Sequence, residues 1–154
     1  MTQQRWIMLA ATGSAALMIG ALAFQYIGEM PPCKLCYWQR YGHIGAIVAG
    51  VIAVFVPATL VILLGAAAVF SSAAVGLYHV GVELGQWEGP ASCTSQSISG
   101  LTTEELIKQI EAAPLVRCDE IPWEMFGLSM AGWNMVIAFA LTLVWLIALR
   151  KTAV

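Results

Sequence analysis

Charge is what this sequence has least of. Only 10% of its 154 residues are Asp, Glu, Lys or Arg, while 60% are apolar. A soluble domain carries about 25% charged residues, so this composition excludes one and fits a polytopic membrane protein. There is no basic run, and the net charge is −2, so nothing points to nucleic acid or a polybasic lipid patch. No flavin or nicotinamide fingerprint is present, and the chain is too short and apolar for a dinucleotide-binding domain. Internal repeats and low-complexity segments are lacking too. Histidine occurs twice and cysteine four times.

What is there is mostly uncharged. Trp6 to Gly28 lies between Arg5 and Glu29 and is long enough for one crossing of roughly 20 residues. Trp6 and Tyr26 stand near its ends, where interfacial aromatics belong. Ala21-Leu22-Ala23 resembles a signal-cleavage site, but the apolar run exceeds the ~7–15 residues of a signal h-region; a retained span is expected. Tyr41 to Val82 holds no formal charge. As helix it measures about 63 Å, or two crossings of a ~30 Å hydrocarbon core. Pro57 divides it, with Val56 pushed out of helical geometry, so the spacing predicts an antiparallel hairpin with a tight turn. Small residues such as Gly42, Gly45, Gly65 and Gly76 run along both arms, as where membrane helices approach closely. Met125 to Leu149 makes a last span, ended by Arg150 and Lys151. The expectation is an all-α, four-helix transmembrane bundle forming one integral unit over 1–154. Its spans are near 6–28, 38–56, 59–82 and 125–149, with loops at 29–37 and 83–124.

The second loop is the only sizeable polar stretch, and its middle reads as a short amphipathic helix. Thr102 and Glu105 form a capping-box pattern, and Leu106, Ile107, Ile110 and Ala113 share a face. Glu104 and Lys108 are an i,i+4 pair, and Pro114 closes the helix. Such a helix can lie on the bilayer surface or pack against its own loop. Four spans put both termini on one side and both cysteine-bearing loops on the other. All nine acidic residues fall on the cysteine side, but four of the seven Lys and Arg do too. The positive-inside rule counts only the basic ones, so cysteine usage, more than charge, places the termini in the cytoplasm.

The chemistry concentrates in Pro31-Pro32-Cys33-Lys34-Leu35-Cys36-Tyr37-Trp38-Gln39-Arg40. Paired prolines stop any helix arriving from upstream. A helix starting near Cys33 carries Cys36 in its first turn and Arg40 one turn on. Helical side chains lean toward the N-terminus, so Arg40 is expected to reach back to the Cys36 sulfur. A helix N-terminus and a cation favour the reactive thiolate. Cys-x-x-Cys closes too small a loop to restrain much unfolded chain; it is a poor staple and a good redox switch.

Four thiols on one face of a membrane allow two redox-active disulfides in series, a four-cysteine zinc site, or purely structural disulfides. The ligand spacing suits zinc poorly, and no metal site is expected. A dithiol that loses two electrons needs an acceptor, and a quinone is dissolved in a membrane protein's own solvent. Tyr37, Trp38 and Tyr41 are candidate walls of a quinone pocket, with Arg40 donating to a quinone oxygen. Interfacial belting and snorkelling are the plainer readings of these residues. His43 and His79 lie on the hairpin at depths about 12 Å apart, a poor match for opposed haem ligands. A hydrogen-bonded histidine, or a second polar contact to quinone from His79, is expected.

These features resemble the disulfide bond formation protein B (DsbB) family, quinone-dependent thiol oxidases of the bacterial inner membrane. The resemblance rests on Cys33-Lys34-Leu35-Cys36 followed by Arg40, the Tyr78-His79 region, and the loop with Cys93 and Cys118. The related vitamin K epoxide reductases place their loop cysteines before the Cys-x-x-Cys, the opposite order. The resemblance implies a relay with all four cysteines catalytic. A periplasmic DsbA-like thioredoxin-fold protein attacks Cys93, Cys118 attacks Cys33, and Cys36 passes electrons to ubiquinone or menaquinone beside Arg40. Cys93, in a Gly/Pro/Ser-rich segment, is expected to be within the partner's reach. A scaffold with a stapled loop is the alternative.

Overall fold

The computed structural model describes residues 2–94, 102–111 and 116–151. Four long helices form a bundle: α1 (Gln3–Tyr26), α2 (Lys34–Phe55), α3 (Thr59–Glu83) and α5 (Met130–Leu149). The short α4 (Thr103–Glu111) lies in the second loop. In the bundle α2 packs between α1 and α3, and α5 closes the ring against both α3 and α1.

The interior is built from small side chains. Ala10, Ala46, Ala49, Ala66, Ala73 and Ala138 are buried, and among the described residues Trp145 is the one large ring fully enclosed. Bulky apolar residues point outward instead, among them Ile19, Phe55, Leu60 and Leu143. Small inside and large outside is the pattern of helices that pack closely while facing lipid. Close approach makes two glycines obligatory. A Cβ on Gly42 would lie 2.6 Å from the Ala68 carbonyl oxygen, and one on Gly65 would lie 2.6 Å from the Trp145 ring. Among the described residues three helices, α1, α3 and α5, are long and apolar enough to cross a membrane. α2 is as long, but Gln39, Arg40 and His43 interrupt its first turns. α1 belongs to the core through Ile7 and Ala10.

The helix boundaries follow local chemistry. α2 starts at Lys34, next to Cys33 as expected and ahead of the span bound at 38, because Cys33 caps it: the Cys33 sulfur accepts from the Cys36 N–H at 3.2 Å. It ends before Pro57 with Val56 at φ −132°, ψ 83°, and α3 begins at Thr59, the tight hairpin anticipated. The last helix starts at Met130, not at Met125. Glu124–Met125 and Leu128–Ser129 instead form a two-stranded hairpin. Its turn, Phe126-Gly127, has φ of 54° and 75°, and Ser129 then caps α5 by accepting from the Gly132 N–H. Positive φ at two successive residues is the turn that suits a two-residue hairpin, and no hydropathy count registers it. In α4 the capping box is present: Thr102 N–H and Oγ both donate to Glu105 Oε2, at 2.9 and 2.8 Å. Glu104 and Lys108 pair at 3.2 Å. Ile107 and Ile110 are 52% and 66% exposed. Ala113 and Pro114, expected to complete this helix, lie outside the described residues.

Gly42→Ala forces a methyl against a backbone carbonyl that cannot move alone. It is expected to cost about 1–3 kcal/mol, read as a lower melting temperature in detergent. Gly20→Ala, with nothing within 4 Å of its Cβ, is the matched control and leaves the melting temperature unchanged or higher.

Candidate active site

The cysteine-bearing ends of the helices converge. Cys93 and Cys118 form a disulfide with Cα atoms 5.3 Å apart. Cys33 and Cys36 are unbonded, their sulfurs 2.8 Å apart. Both pairs belong to one buried apolar cluster with Leu35 and Val82. The disulfide takes Cys93 and Cys118 out of any four-cysteine metal site.

His79, on the last turns of α3, is the polar centre of this cluster and only 3% exposed. Its Nδ1 accepts from the Gln39 side-chain amide at 2.9 Å. That leaves the Nε2 edge facing the Cys33 sulfur at 3.6 Å and Glu83 Oε1 at 3.8 Å. Glu83 is held from the other side by the Ser129 hydroxyl, which donates to Oε2 at 2.5 Å. One turn deeper His43 donates through Nε2 to Asn134 Oδ1 at 2.8 Å, and the Asn134 amide donates to Ser72 Oγ at 3.1 Å. Helices α2, α5 and α3 are thus tied together at the level of Gly42.

Beside these groups lies a cavity of about 490 Å³, mostly apolar, lined by Cys33, Cys36, Arg40, His43, His79 and Glu83 among others. Phe24 of α1 and Trp123 of the second loop, in ring contact at 5.1 Å, form part of its wall. Arg40 does not turn back to sulfur as expected. Its guanidinium donates to Gln25 Oε1 at 2.6 Å and to the Ala21 carbonyl at 3.2 Å, both on α1. The reason is that α1 offers two oxygens across the helix interface, and a guanidinium is satisfied best by fixed acceptors. Its Nε is buried with no hydrogen-bond partner among the described residues.

The sequence matches the family described as Disulfide bond formation protein DsbB over residues 3–148. The chain belongs to the DsbB family. Among its relatives is a Disulfide bond formation protein B from Shewanella amazonensis, 36% identical over 146 residues, covering 90% of this chain and 85% of the relative. One from Shewanella sp. (strain ANA-3) is 32% identical over 142 residues, covering 88% and 79%. One from Haemophilus influenzae is 33% identical over 141 residues, covering 86% and 77%. The protein is therefore a membrane-embedded oxidoreductase of disulfide bond formation.

The structure brings the four cysteines, Arg40 and His79 together at this end of the bundle. Tyr37, Trp38 and Tyr41 stand elsewhere, on the outer face of α2, 43%, 42% and 64% exposed. Tyr37 lies under the Arg40 guanidinium and Trp38 under the Lys34 ammonium, at 5.5 and 5.9 Å from ring centroid to cation. Cys93 is not open to a partner either, being 1% exposed. Its loop is fastened by Lys34 Nζ donating to Ser92 Oγ at 2.9 Å and Tyr78 Oη donating to the Glu88 carbonyl at 2.7 Å. Trp87 also covers Gly81, where any Cβ would strike the ring. Gln39, Glu83, Ser129 and Asn134 were not anticipated. The only signal for them was polarity inside or at the edge of apolar segments.

The Cys33 thiol is pushed well above the ordinary thiol range, first by its hydrogen bond with the Cys36 sulfur and then by burial. A raised pKa keeps Cys33 protonated where a free thiol, near 8.5, begins to ionise. Cys36 is also the less buried of the two. In the reduced protein at neutral pH, iodoacetamide is expected to modify Cys36 at least ~10-fold faster than Cys33. Peptide mapping of a time course measures this, and equal rates would contradict the shared-proton arrangement.

Proposed function

We propose that this chain is a quinone-dependent thiol oxidase that regenerates the disulfide of a periplasmic DsbA-like thioredoxin-fold protein. On this reading all four long helices, one unit spanning 1–154, cross the bacterial inner membrane. Both termini are cytoplasmic, both cysteine pairs face the periplasm, and α4 rests on the bilayer through Leu106, Ile107 and Ile110. The observation that carries the reading is the packing of two cysteine pairs into one cluster at the rim of a cavity lined by Arg40 and His79.

The steps follow from thiol–disulfide exchange, in which a thiolate attacks one sulfur and displaces the other. A thiolate of the partner attacks Cys93, releasing Cys118. The partner's second thiol then resolves the mixed disulfide, leaving the partner oxidised and Cys93 and Cys118 reduced. Cys118 attacks Cys33 of the oxidised Cys33–Cys36 pair, and Cys36 leaves as the thiolate. Resolution by Cys93 restores Cys93–Cys118 and leaves Cys33 and Cys36 as a dithiol. That dithiol must give up two electrons and two protons. Burial of Cys93 makes release of the Lys34–Ser92 and Tyr78–Glu88 contacts part of the first step, since exchange requires sulfurs to meet.

The residues present fit a quinone. A quinone head has two carbonyl oxygens that only accept, and the unpartnered Arg40 Nε–H is a buried donor in a residue lining the cavity. His43 Nδ1, buried, unpartnered and left as an acceptor by the Nε2 donation to Asn134, suits a quinol hydroxyl. Ubiquinone or menaquinone bound there would supply the two-electron, two-proton acceptor. Arg40 would orient it, and His79, against Cys33, would hold or pass the thiol proton.

Mixing the purified protein with a reduced DsbA-like protein is expected to reduce quinone stoichiometrically, followed by its absorbance, and Cys93→Ser abolishes this. Arg40→Ala removes a charge-assisted donor and is expected to slow quinone reduction ~10–100-fold. It should leave trapping of the partner on Cys93 within about 2-fold. Equal losses in both half-reactions would make Arg40 a strut between α1 and α2 and nothing more.

A further inference from the structure

The proposed relay uses Cys33, Cys36 and His79 but gives no role to Glu83, which stands beside them. Cys33 Sγ, Cys36 Sγ and His79 Nε2 all lie within 4.8 Å of one another, and Glu83 Oε1 is 3.8 Å from the same imidazole nitrogen. In a tetrahedral site with metal–sulfur bonds near 2.3 Å and metal–nitrogen bonds near 2.0–2.1 Å, neighbouring ligand atoms stand roughly 3.4–3.8 Å apart. The Cys33–His79 and His79–Glu83 separations, 3.6 and 3.8 Å, are already of that size. The two sulfurs, at 2.8 Å, must part by about 1 Å, and the Glu83 carboxylate, outside the group that the other three ligand atoms form within 4.8 Å, must swing toward them to complete the set. Cys36, in the first turn of α2 and incompletely buried, can supply the sulfur movement by a side-chain rotation.

The surroundings are those of a supported ligand set. Metal-bound histidines are oriented by a partner on the other ring nitrogen, and ligating carboxylates are themselves hydrogen-bonded. Gln39 stands at 2.9 Å from His79 Nδ1, and an amide can turn its oxygen to that nitrogen as readily as its NH2. Ser129 holds the second oxygen of Glu83. Electrostatics lean the same way. The Glu83 side chain is 4% exposed, and His79 is its only ion-pair partner within 4 Å among the described residues. Without a metal the sulfur pair keeps a proton on Cys33; a divalent cation that displaces it offsets the charge then gathered on both sulfurs and Glu83 in a low-dielectric pocket. The adjoining cavity, lined by Cys33, Cys36, His79 and Glu83, gives a cation a way in.

We propose that in the reduced protein Cys33, Cys36, His79 and Glu83 together bind one zinc-class divalent cation. Thiolate and imidazole donors in a four-ligand set select a borderline-soft d10 ion over magnesium or calcium. Binding displaces the two thiol protons and transfers no electrons. It withholds the pair from oxidation, because both sulfur lone pairs needed to form the disulfide are engaged by the metal. The oxidised pair offers no thiolate and releases the ion. This inference rests on the donor geometry and stands apart from the thiol-oxidase reading.

The test uses the full chain, fully reduced in detergent without oxygen, with zinc or cadmium alone as the probe. Cadmium titration is expected to raise sulfur-to-metal absorbance that saturates at one equivalent. Zinc at one equivalent should protect Cys33 and Cys36, but not Cys93 and Cys118, from maleimide, as mapped on each cysteine. His79→Ala and Glu83→Gln should each weaken binding by about 10-fold or more. Glu83→Gln keeps the shape and an acceptor for Ser129, so it carries the test if His79→Ala does not fold. No binding, protection shared among all four cysteines, or an affinity unmoved by Glu83→Gln would each overturn the proposal.

Discussion

The cysteine end of this protein depends on how closely α2 approaches α3. Where Gly42 lies over the Ala68 carbonyl, with 2.6 Å left for a side chain that is not there, the two backbones come near enough for short polar side chains to meet. One turn above, Gln39 of α2 reaches His79 of α3. At the same level His43 and Asn134 draw α5 in toward Ser72. A lipid-facing bundle has little hydrophobic drive to hold helices together, since acyl chains solvate apolar side chains as well as protein does. Close backbone packing and interhelical hydrogen bonds must hold them instead. Here the same contacts that hold the bundle also aim the side chains of the site.

Much of the architecture is legible in the sequence because its signals are local. Pro57 ends one helix and forces a turn whatever lies around it, and the Thr102–Glu105 box caps α4 with no neighbour's help. Cys33 caps α2 through its own sulfur. The start of α5 is not legible from hydropathy, because Met125 and Phe126 are as apolar as the residues that follow. Only the left-handed turn at Phe126-Gly127 and the Ser129 cap separate hairpin from helix. Hydropathy alone would start α2 at Tyr41, seven residues late; the paired prolines before Cys33 mark its true start.

The site is legible to the extent that its chemistry lies in rare residues. With four cysteines and two histidines in 154 positions, the candidate reactive groups are few enough to single out. Their partners came from far along the chain and were hidden for that reason. Glu83 and Ser129 are 46 residues apart and His43 and Asn134 are 91 apart. Arg40 shows the limit of helical-wheel reasoning. Position puts its side chain one turn from Cys36, but Gln25 and Ala21 across the interface decide where the guanidinium goes.

Burial of the Cys93–Cys118 disulfide changes what the second loop must do. A disulfide at the surface could exchange with any thiol it met. One that is buried, in a loop fastened through Ser92 and Glu88, is exposed to attack only when those contacts give way. Each is a single hydrogen bond between partly exposed groups, worth about 0.5–1.5 kcal/mol, so opening is well within reach of a partner that binds the loop. The arrangement separates two demands that conflict in a thiol oxidase. On the proposed relay, Cys93 and Cys118 must come near enough to exchange with Cys33, and the shared buried cluster keeps them beside it. The relay would also need them shielded from adventitious thiols, and the same burial does that.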